Sequence, residues 1–289
     1  MIEKMTHVPI VVSDQEKALT YYTEALGWEK RQDYQQPGKP RWLTVAPKGQ
    51  ELEFILTQGK SKVDLHVGAE AGTAGYQWAF QTDDCRGDYE RLKARGVDFH
   101  VGNYTGPQKQ SWGWNVAFRD PDGNQFVLVQ PNLIGKADTA SKRRKEEQVG
   151  GTRMFEKLTQ VPLVVRDQDR ALKFYTEVLG FVKRQDSQQQ GRPRWLTVGL
   201  PGQDPEFILV RGDYVADPRA PPEAESGGNH WVFKTNDCRK DVETLRARGL
   251  KFKGTAPVEA NYGLAAYFTD PDGNHLTLLQ PGPAPARKG

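Results

Sequence analysis

Near the start of the chain, Val8, Ile10 and Val12 alternate with His7, Pro9 and Val11. Alternation sends the two sets to opposite faces of a strand. Asp14 then stands where an N-cap is expected, with Lys17 at the third helical position. Ala18, Leu19, Tyr22 and Leu26 follow at helical spacing, and Gly27 suits a C-cap. Strands are predicted near 28–34, 41–47 and 51–57, the last two separated by the turn residues Pro47-Lys-Gly-Gln50. The order is β-α-β-β-β. It starts again with a strand at Gln77-Trp-Ala-Phe-Gln-Thr82. Asp84 caps a helix carrying Tyr89 and Leu92, and Gly96 ends it. Strands near 97–101, 114–119 and 125–130 follow. Asp120-Pro-Asp-Gly-Asn124 forms the turn between the last two, with Pro fixing one φ and Gly supplying a positive one.

This whole pattern is then repeated. His7-Val-Pro-Ile-Val-Val-Ser-Asp14 returns as Gln160-Val-Pro-Leu-Val-Val-Arg-Asp167, a shift of 153 residues. Arg41-Trp42-Leu43-Thr44-Val45 and Glu53-Phe54-Ile55-Leu56 return at the same shift, at Arg194 and Glu206. The final turn returns as Asp270-Pro-Asp-Gly-Asn274, shifted by 150. The second copy has therefore lost three residues between the counterparts of Phe99 and Asp120. A period this long is a domain duplication, not a solenoid repeat. In the second copy Asp167 and Asp237 are the caps and Gly180 and Gly249 the stops. Strands are expected near 181–187, 194–199, 205–211, 250–254, 264–269 and 275–280. The expected organisation is a first module at 1–131, a linker at 132–153, a second module at 154–281 and a tail at 282–289. Residues 58–75 and 212–228 are expected to be loops.

Composition, at 37% hydrophobic and 27% charged residues, is that of an ordinary globular chain with room for two domains. A net charge of +3 gives no reason to expect nucleic acid or a membrane as partner. The run Lys142-Arg143-Arg144-Lys145 falls in the linker and is followed by Glu146-Glu147, so it is taken as solvated. No apolar run approaches the ~20 residues of a membrane helix, and the N-terminus lacks signal-peptide regions. Cys85 and Cys238 occupy matched positions and are expected as packing residues, not a disulfide framework. The cytoplasm is the expected compartment.

Four βαβββ units with these motifs resemble the vicinal oxygen chelate superfamily. That superfamily includes glyoxalase I, extradiol dioxygenases, fosfomycin-resistance enzymes and bleomycin-resistance proteins. The residues carrying the likeness are His7–Asp14, Tyr21-Tyr22-Thr-Glu-Ala-Leu-Gly27, Asp83-Asp84 with Leu92-Lys-Ala-Arg-Gly96, and Phe118-Arg-Asp-Pro-Asp-Gly-Asn124. The resemblance implies an α+β fold of two tandem modules, with paired βαβββ units curling into half-barrel clefts. It implies metal ligands on the first, fourth, fifth and eighth strands. At those positions the copies carry His7 or Gln160, Ile55 or Ile208, Gln77 or His230, and Val127 or Thr277. Glu53 and Glu206 lie two residues before the fourth-strand position and so share its face. No copy by itself offers three good ligands. Members of the superfamily often join the first half of one module to the second half of the other. That arrangement would bring His7 and Glu53 to His230 and Thr277, a set suited to one divalent Fe, Zn, Ni or Mn. The opposite cleft would hold Gln160, Glu206, Gln77 and Val127.

Organic ligands need apolar and aromatic walls with a few polar groups. The candidates are Arg41, Trp42, Arg194 and Trp195 at a strand start, Gln77 and Gln160, and the loop aromatics Trp112 and Tyr262. Arginine suits a carboxylate or phosphate. Trp78 and Trp231 alternate with Gln77 and His230, so they are expected in the core, as are Tyr22 and Tyr175. His66, His100 and His275 are given no role. Two functions follow. The first is a small-molecule-binding protein of the resistance type without an essential metal. The alternative is a metal-dependent lyase or dioxygenase using His7, His230 and Glu53. An interaction scaffold with degenerate clefts is a third. No catalytic residue is named. The duplication is compatible with a monomer containing an internal pseudo-dimer or with a homodimer.

Overall fold

Val8, Ile10 and Val12 are buried to within 1% of complete, on the side of the first strand that meets the helices. The computed structural model describes residues 2–35, 37–38, 40–59, 78–101, 105–132, 154–188, 190, 193–212, 230–260 and 262–282. Most of the expected linker, the tail after Gly282, Gln77 and His66 lie outside those residues. The first copy comprises β1 (Lys4–Val12), α1 (Gln15–Thr20), β2 (Glu29–Tyr34), β3 (Trp42–Ala46) and β4 (Glu53–Gln58). It continues with β5 (Trp78–Gln81), α2 (Cys85–Ala94), β6 (Gln108–Gln110), β7 (Gly113–Arg119) and β8 (Gln125–Pro131). The second comprises β9 (Lys157–Val165), α3 (Gln168–Lys173), β10 (Val182–Ser187), β11 (Trp195–Gly199) and β12 (Glu206–Arg211). It ends with β13 (His230–Lys234), α4 (Cys238–Ala247), β14 (Val258–Ala260), β15 (Gly263–Thr269) and β16 (His275–Pro281). No helix among the described residues is long and apolar enough to cross a membrane.

The caps behave as the sequence predicts. Asp14 and Asp167 each accept two backbone N–H groups of the first helical turn. Beyond Thr20 the helix widens into a π turn at Tyr21–Ala25, and Phe174–Val178 does the same. Tyr22 and Tyr175 sit fully buried in those turns. Their hydroxyls donate to Asp120 and Asp270 at 2.8 and 3.0 Å. The Asp120 carboxylate also accepts the N–H groups of Asp122 and Asn124 and the Asn124 side-chain amide. The Asn124 amide in turn reaches the Val11 carbonyl. The motif therefore fastens helix to sheet besides turning a hairpin.

Two expected strands are corrected. Residues 97–101 and 250–254 make only isolated bridges, Asp98 to Arg119 and Phe252 to Phe268. The strands that pair with β7 and β15 at those sheet edges are β6 and β14 instead. Alternation in the first segment reflects burial of Val97, Phe99 and Val101. Phe99 packs its ring edge against Tyr89 of α2, 4.7 Å between centroids.

Each of the two sheets has eight strands and draws half from each copy. Their orders are β14-β15-β16-β13-β1-β4-β3-β2 and β10-β11-β12-β9-β5-β8-β7-β6. The joints are the antiparallel pairs β1 with β13 and β5 with β9. Residues 1–131 and 154–281 are thus repeats of sequence, while each sheet is a chimera of the two. Trp78 and Trp231, 6% and 7% exposed, stack on each other at 5.8 Å. Phe155, from just before β9, packs against Trp28, Phe80 and Phe118 of the first copy. Cys85 and Cys238 are free and buried. Burial pushes the two thiols up to about 12 and about 11.

Gly113 opens β7 at φ 152°, where an added Cβ would lie 2.0 Å from the Gln130 carbonyl oxygen. Gly113→Ala is expected to destabilise the protein by about 3 kcal/mol, measured as a lower urea midpoint. An unchanged midpoint would mean that the β7–β8 hairpin can open there without cost.

Candidate functional site

Register defines which side chains share the helix-free face of the first sheet. His7 pairs with Glu53 on one side and with Val232 on the other. Val232 pairs with Thr277, and Thr277 with Tyr267. In the other direction Ile55 pairs with Thr44, Thr44 with Gln32, and Trp42 with Tyr34. Directly paired residues and those two apart along a strand point the same way. The face thus carries Tyr34, Gln32, Trp42, Thr44, Glu53, Ile55, His7, Val232, Thr277 and Tyr267.

The polar centre is a short chain of bonds. The Gln32 backbone N–H donates to the Thr44 hydroxyl, and that hydroxyl donates to Glu53 Oε2 at 2.5 Å. The Gln32 side-chain amide reaches the same oxygen at 3.4 Å. His7 Nε2 lies 3.7 Å from it, beyond hydrogen-bond range. On the far side of the ring, His7 Nδ1 is 3.0 Å from the Thr6 hydroxyl oxygen. Thr6 gives its own proton to the Val232 carbonyl. On that ground we assign the proton to Nδ1, which leaves a lone pair on Nε2. Burial holds the His7 imidazole below its ordinary pKa, opposed in part by the Glu53 charge. His7 Nε2 and Trp42 Nε1 are both buried without a hydrogen-bond partner.

Aromatic rings frame this centre. Trp42 meets the His7 ring edge-on at 5.5 Å and stacks with Tyr34 at 6.4 Å. The hydroxyls of Tyr262 and Tyr267 are hydrogen-bonded to each other. Burial, then the Tyr262 hydroxyl, raises the pKa of Tyr34. Tyr34 belongs to the β2 edge and Tyr262 precedes β15 near the opposite edge. In a flat sheet those edges would stand about 30 Å apart, so this electrostatic coupling reports a sheet curled into a cup with tyrosines at its mouth.

The second sheet repeats the geometry with different chemistry. Gln160 occupies the His7 position, paired with Glu206 and with Ala79, and Ala79 pairs with Val127. Gln185, the counterpart of Gln32, accepts from Trp195 Nε1 at 3.0 Å and leaves the carboxylate alone. Glu206 Oε2 and Thr197 Oγ1 are buried without partners.

Other candidates are distributed as follows. His230 starts β13 at a register position beside His275, two residues before the partner of His7. Its side chain, like all of Gln77, lies outside the described residues. Tyr262 and the matching Trp112 are both 44% exposed, and Tyr262 is tied to the tyrosine cluster through Tyr267. Arg41 and Arg194 require correction. Each guanidinium makes a two-pronged bond to a neighbouring carboxylate, Asp33 or Asp186, and a further one to Glu16 or Asp169. A fork already filled from within the chain is not offered to a ligand. Those bonds hold Asp33 and Asp186 down at about 2. His275 is half-buried, with Nδ1 3.3 Å from Lys253 Nζ. Sequence reasoning missed Gln32, Tyr34, Thr44 and Tyr267. The parity of β3, counted from Trp42, would have found Thr44. The uniformly polar β2 carries no such signal.

A catalytic divalent ion needs about three protein ligands. At the positions that resemblance assigns, the first sheet supplies His7, Ile55, Thr277 and the His230 site. Ile55 is fully buried and offers no donor, and Thr277 offers only a hydroxyl. Among the described residues no three His, Cys, Asp or Glu side chains are grouped closely enough to hold an ion. The described side chains do not fit such a centre.

Comparison with known proteins agrees with the architecture. The family profile described as Glyoxalase/Bleomycin resistance protein/Dioxygenase superfamily matches residues 4–128 and again 157–278. An uncharacterized Bacillus subtilis protein, YetH, is 34% identical over 130 residues, covering 45% of this chain and all of its own length. Lactoylglutathione lyase GLX1 of Arabidopsis thaliana is 29% identical over 296 residues, covering 96% of this chain and 91% of its own. The crystal structure of glyoxalase I from Zea mays superposes with a TM-score of 0.64 at 21% identity, covering 96% of this chain and 92% of that one. At that identity the likeness is one of fold. The chain belongs, through both of its copies, to the Glyoxalase/Bleomycin resistance protein/Dioxygenase superfamily.

Proposed function

We propose that this protein binds a small organic molecule in the cup of its first sheet and does so without an essential metal. The observation that carries this reading is the pair of buried, unpartnered ring nitrogens, His7 Nε2 and Trp42 Nε1, beneath a rim of tyrosines. Buried polar atoms are ordinarily satisfied, and a ligand with matching groups would satisfy these two. The aromatic walls supply apolar contact, and the Glu53–Thr44–Gln32 chain supplies orientation. Trp42 reports occupancy. A ligand found by screening organic compounds should quench tryptophan fluorescence saturably, and Trp42→Ala should weaken its binding by at least about tenfold. Equal affinity in Trp42→Ala and wild type would move the site elsewhere and defeat this reading.

Two observations favour a second reading, a metal-dependent lyase. Relatives across nearly the whole chain are named lactoylglutathione lyase. His7 and His230 also lie on neighbouring strands. Stoichiometric bound metal lost in His7→Ala and in His230→Ala alike, together with lactoylglutathione lyase activity, would establish that reading against ours.

A further inference from the structure

We propose that the ligand of the first-sheet cup is an organic cation with at least two N–H donors on one nitrogen, a primary ammonium or an amidinium. This rests on the binding function proposed above and narrows it to a chemical class. His7 Nε2 and Glu53 Oε2 face each other across 3.7 Å, and both are acceptors. The imidazole is an acceptor on that side because Thr6 takes the Nδ1 proton, its own hydrogen being given to the Val232 carbonyl. An ionised carboxylate can only accept; its Oε2 takes the Thr44 hydroxyl, whose own oxygen takes the Gln32 N–H, and takes the Gln32 side-chain amide only at 3.4 Å, a contact that a closer donor would displace.

Two acceptor atoms bordering one gap call for donors from a single centre. A donor nitrogen sits about 2.9 Å from each acceptor it serves, so one nitrogen reaches both atoms. A hydroxyl has one hydrogen for two acceptors, whereas an ammonium or amidinium nitrogen has at least two. Charge points the same way. Glu53 is mostly buried, at 19% side-chain exposure, and among the described residues the one basic group within ion-pair distance is His7, neutral in this assignment. A carboxylate in that setting favours a cation. Trp42 beside His7, and Tyr34 beside Trp42, add aromatic rings to the same face, and such rings attract positive charge. In the second sheet Gln160 stands in place of His7, so the imidazole acceptor is missing there.

The test uses three probes of one shape on the full-length protein at neutral pH, by titration calorimetry: 1-naphthylmethylammonium, its N-trimethyl derivative and 1-naphthalenemethanol. The primary ammonium is expected to bind at least tenfold tighter than either of the others. Glu53→Gln should abolish that preference. Equal binding of the trimethyl compound would show recognition by the rings alone and overturn the proposal. Equal binding of the alcohol would overturn it by showing that charge is not read. A stoichiometric zinc ion lost in Glu53→Gln would overturn it by filling the gap with metal. In the first two outcomes the cup still binds organic molecules, provided Trp42→Ala weakens all three probes. Failure of all three to bind wild type defeats the cation proposal and leaves the binding function to the wider screen. The comparison of probes is made on wild type, so it stands whether or not Glu53→Gln folds.

Discussion

A chain cut to residues 1–131 should not persist as a folded monomer. Each sheet crosses from one copy to the other, at β1 with β13 and at β5 with β9. Removing the second copy strips the partner from both strands and leaves two open edges, which invite pairing. It also removes Phe155 from the pocket formed by Trp28, Phe80 and Phe118, and it unstacks Trp78 from Trp231. The first copy does carry both kinds of strand that meet at a joint, because β9 is the counterpart of β1 and β13 that of β5. Two truncated chains can therefore rebuild both sheets as a symmetric dimer. Light scattering should show a dimer or an aggregate, and circular dichroism should show no folded monomer on dilution. A stable monomer of 1–131 with native strand content would refute the cross-copy pairing. In the intact chain, Phe155→Ala should cost about 3 kcal/mol by emptying the same pocket.

Asp120→Ala should lower stability by about 4 kcal/mol. This carboxylate is 4% exposed and accepts from the Tyr22 hydroxyl, two backbone N–H groups and the Asn124 amide. Alanine leaves all of these donors without that acceptor, and Tyr22 is fully buried. Asp120→Asn keeps one acceptor oxygen and should cost about half as much. Denaturant unfolding measures both, and losses under about 1 kcal/mol would mean that water replaces the carboxylate. The pH dependence gives a second check. Burial, opposed by the hydrogen bonds, raises the Asp120 pKa above 3.8. The folded protein then holds this proton to higher pH than the unfolded chain does. This group's contribution to stability is greatest below about 3.8 and declines as pH rises through the folded value. Asp120→Asn should remove that part of the slope. Asp270, with the same partners and a raised pKa, should behave alike.

Much of the local structure could be read directly from the chain. The caps at Asp14, Asp84, Asp167 and Asp237 hold. Parity, with the cleft-facing positions of Gln77 and His230 that the resemblance implies, put Trp78 and Trp231 in the core, where they lie. Other features were illegible because periodicity reports burial and not bonding. Val97, Phe99 and Val101 alternate as a strand would, yet the sheet edge lies at Gln108–Gln110. Arg41 and Arg194 looked available because Asp33 and Asp186, eight residues earlier on polar strands, gave no sign of facing them.

Alternation, capping residues and the repeat at 153 positions determine the order of elements, their buried faces and their duplication, because each depends on neighbours a few residues away. They do not determine which copy's strand lies beside β1. The two copies present nearly equivalent edges, so pairing within a copy and pairing across copies look the same along the chain. The tertiary structure decides that His7 lies beside Val232, with Thr277 one strand beyond, and that Gln160 lies beside Ala79, with Val127 one strand beyond. It also decides which hydroxyl orients the imidazole and which oxygen is left facing its lone pair. Those outcomes depend on reach and angle between residues on different strands, 226 positions apart for Thr6 and Val232, and only a closed, curled sheet brings such residues together.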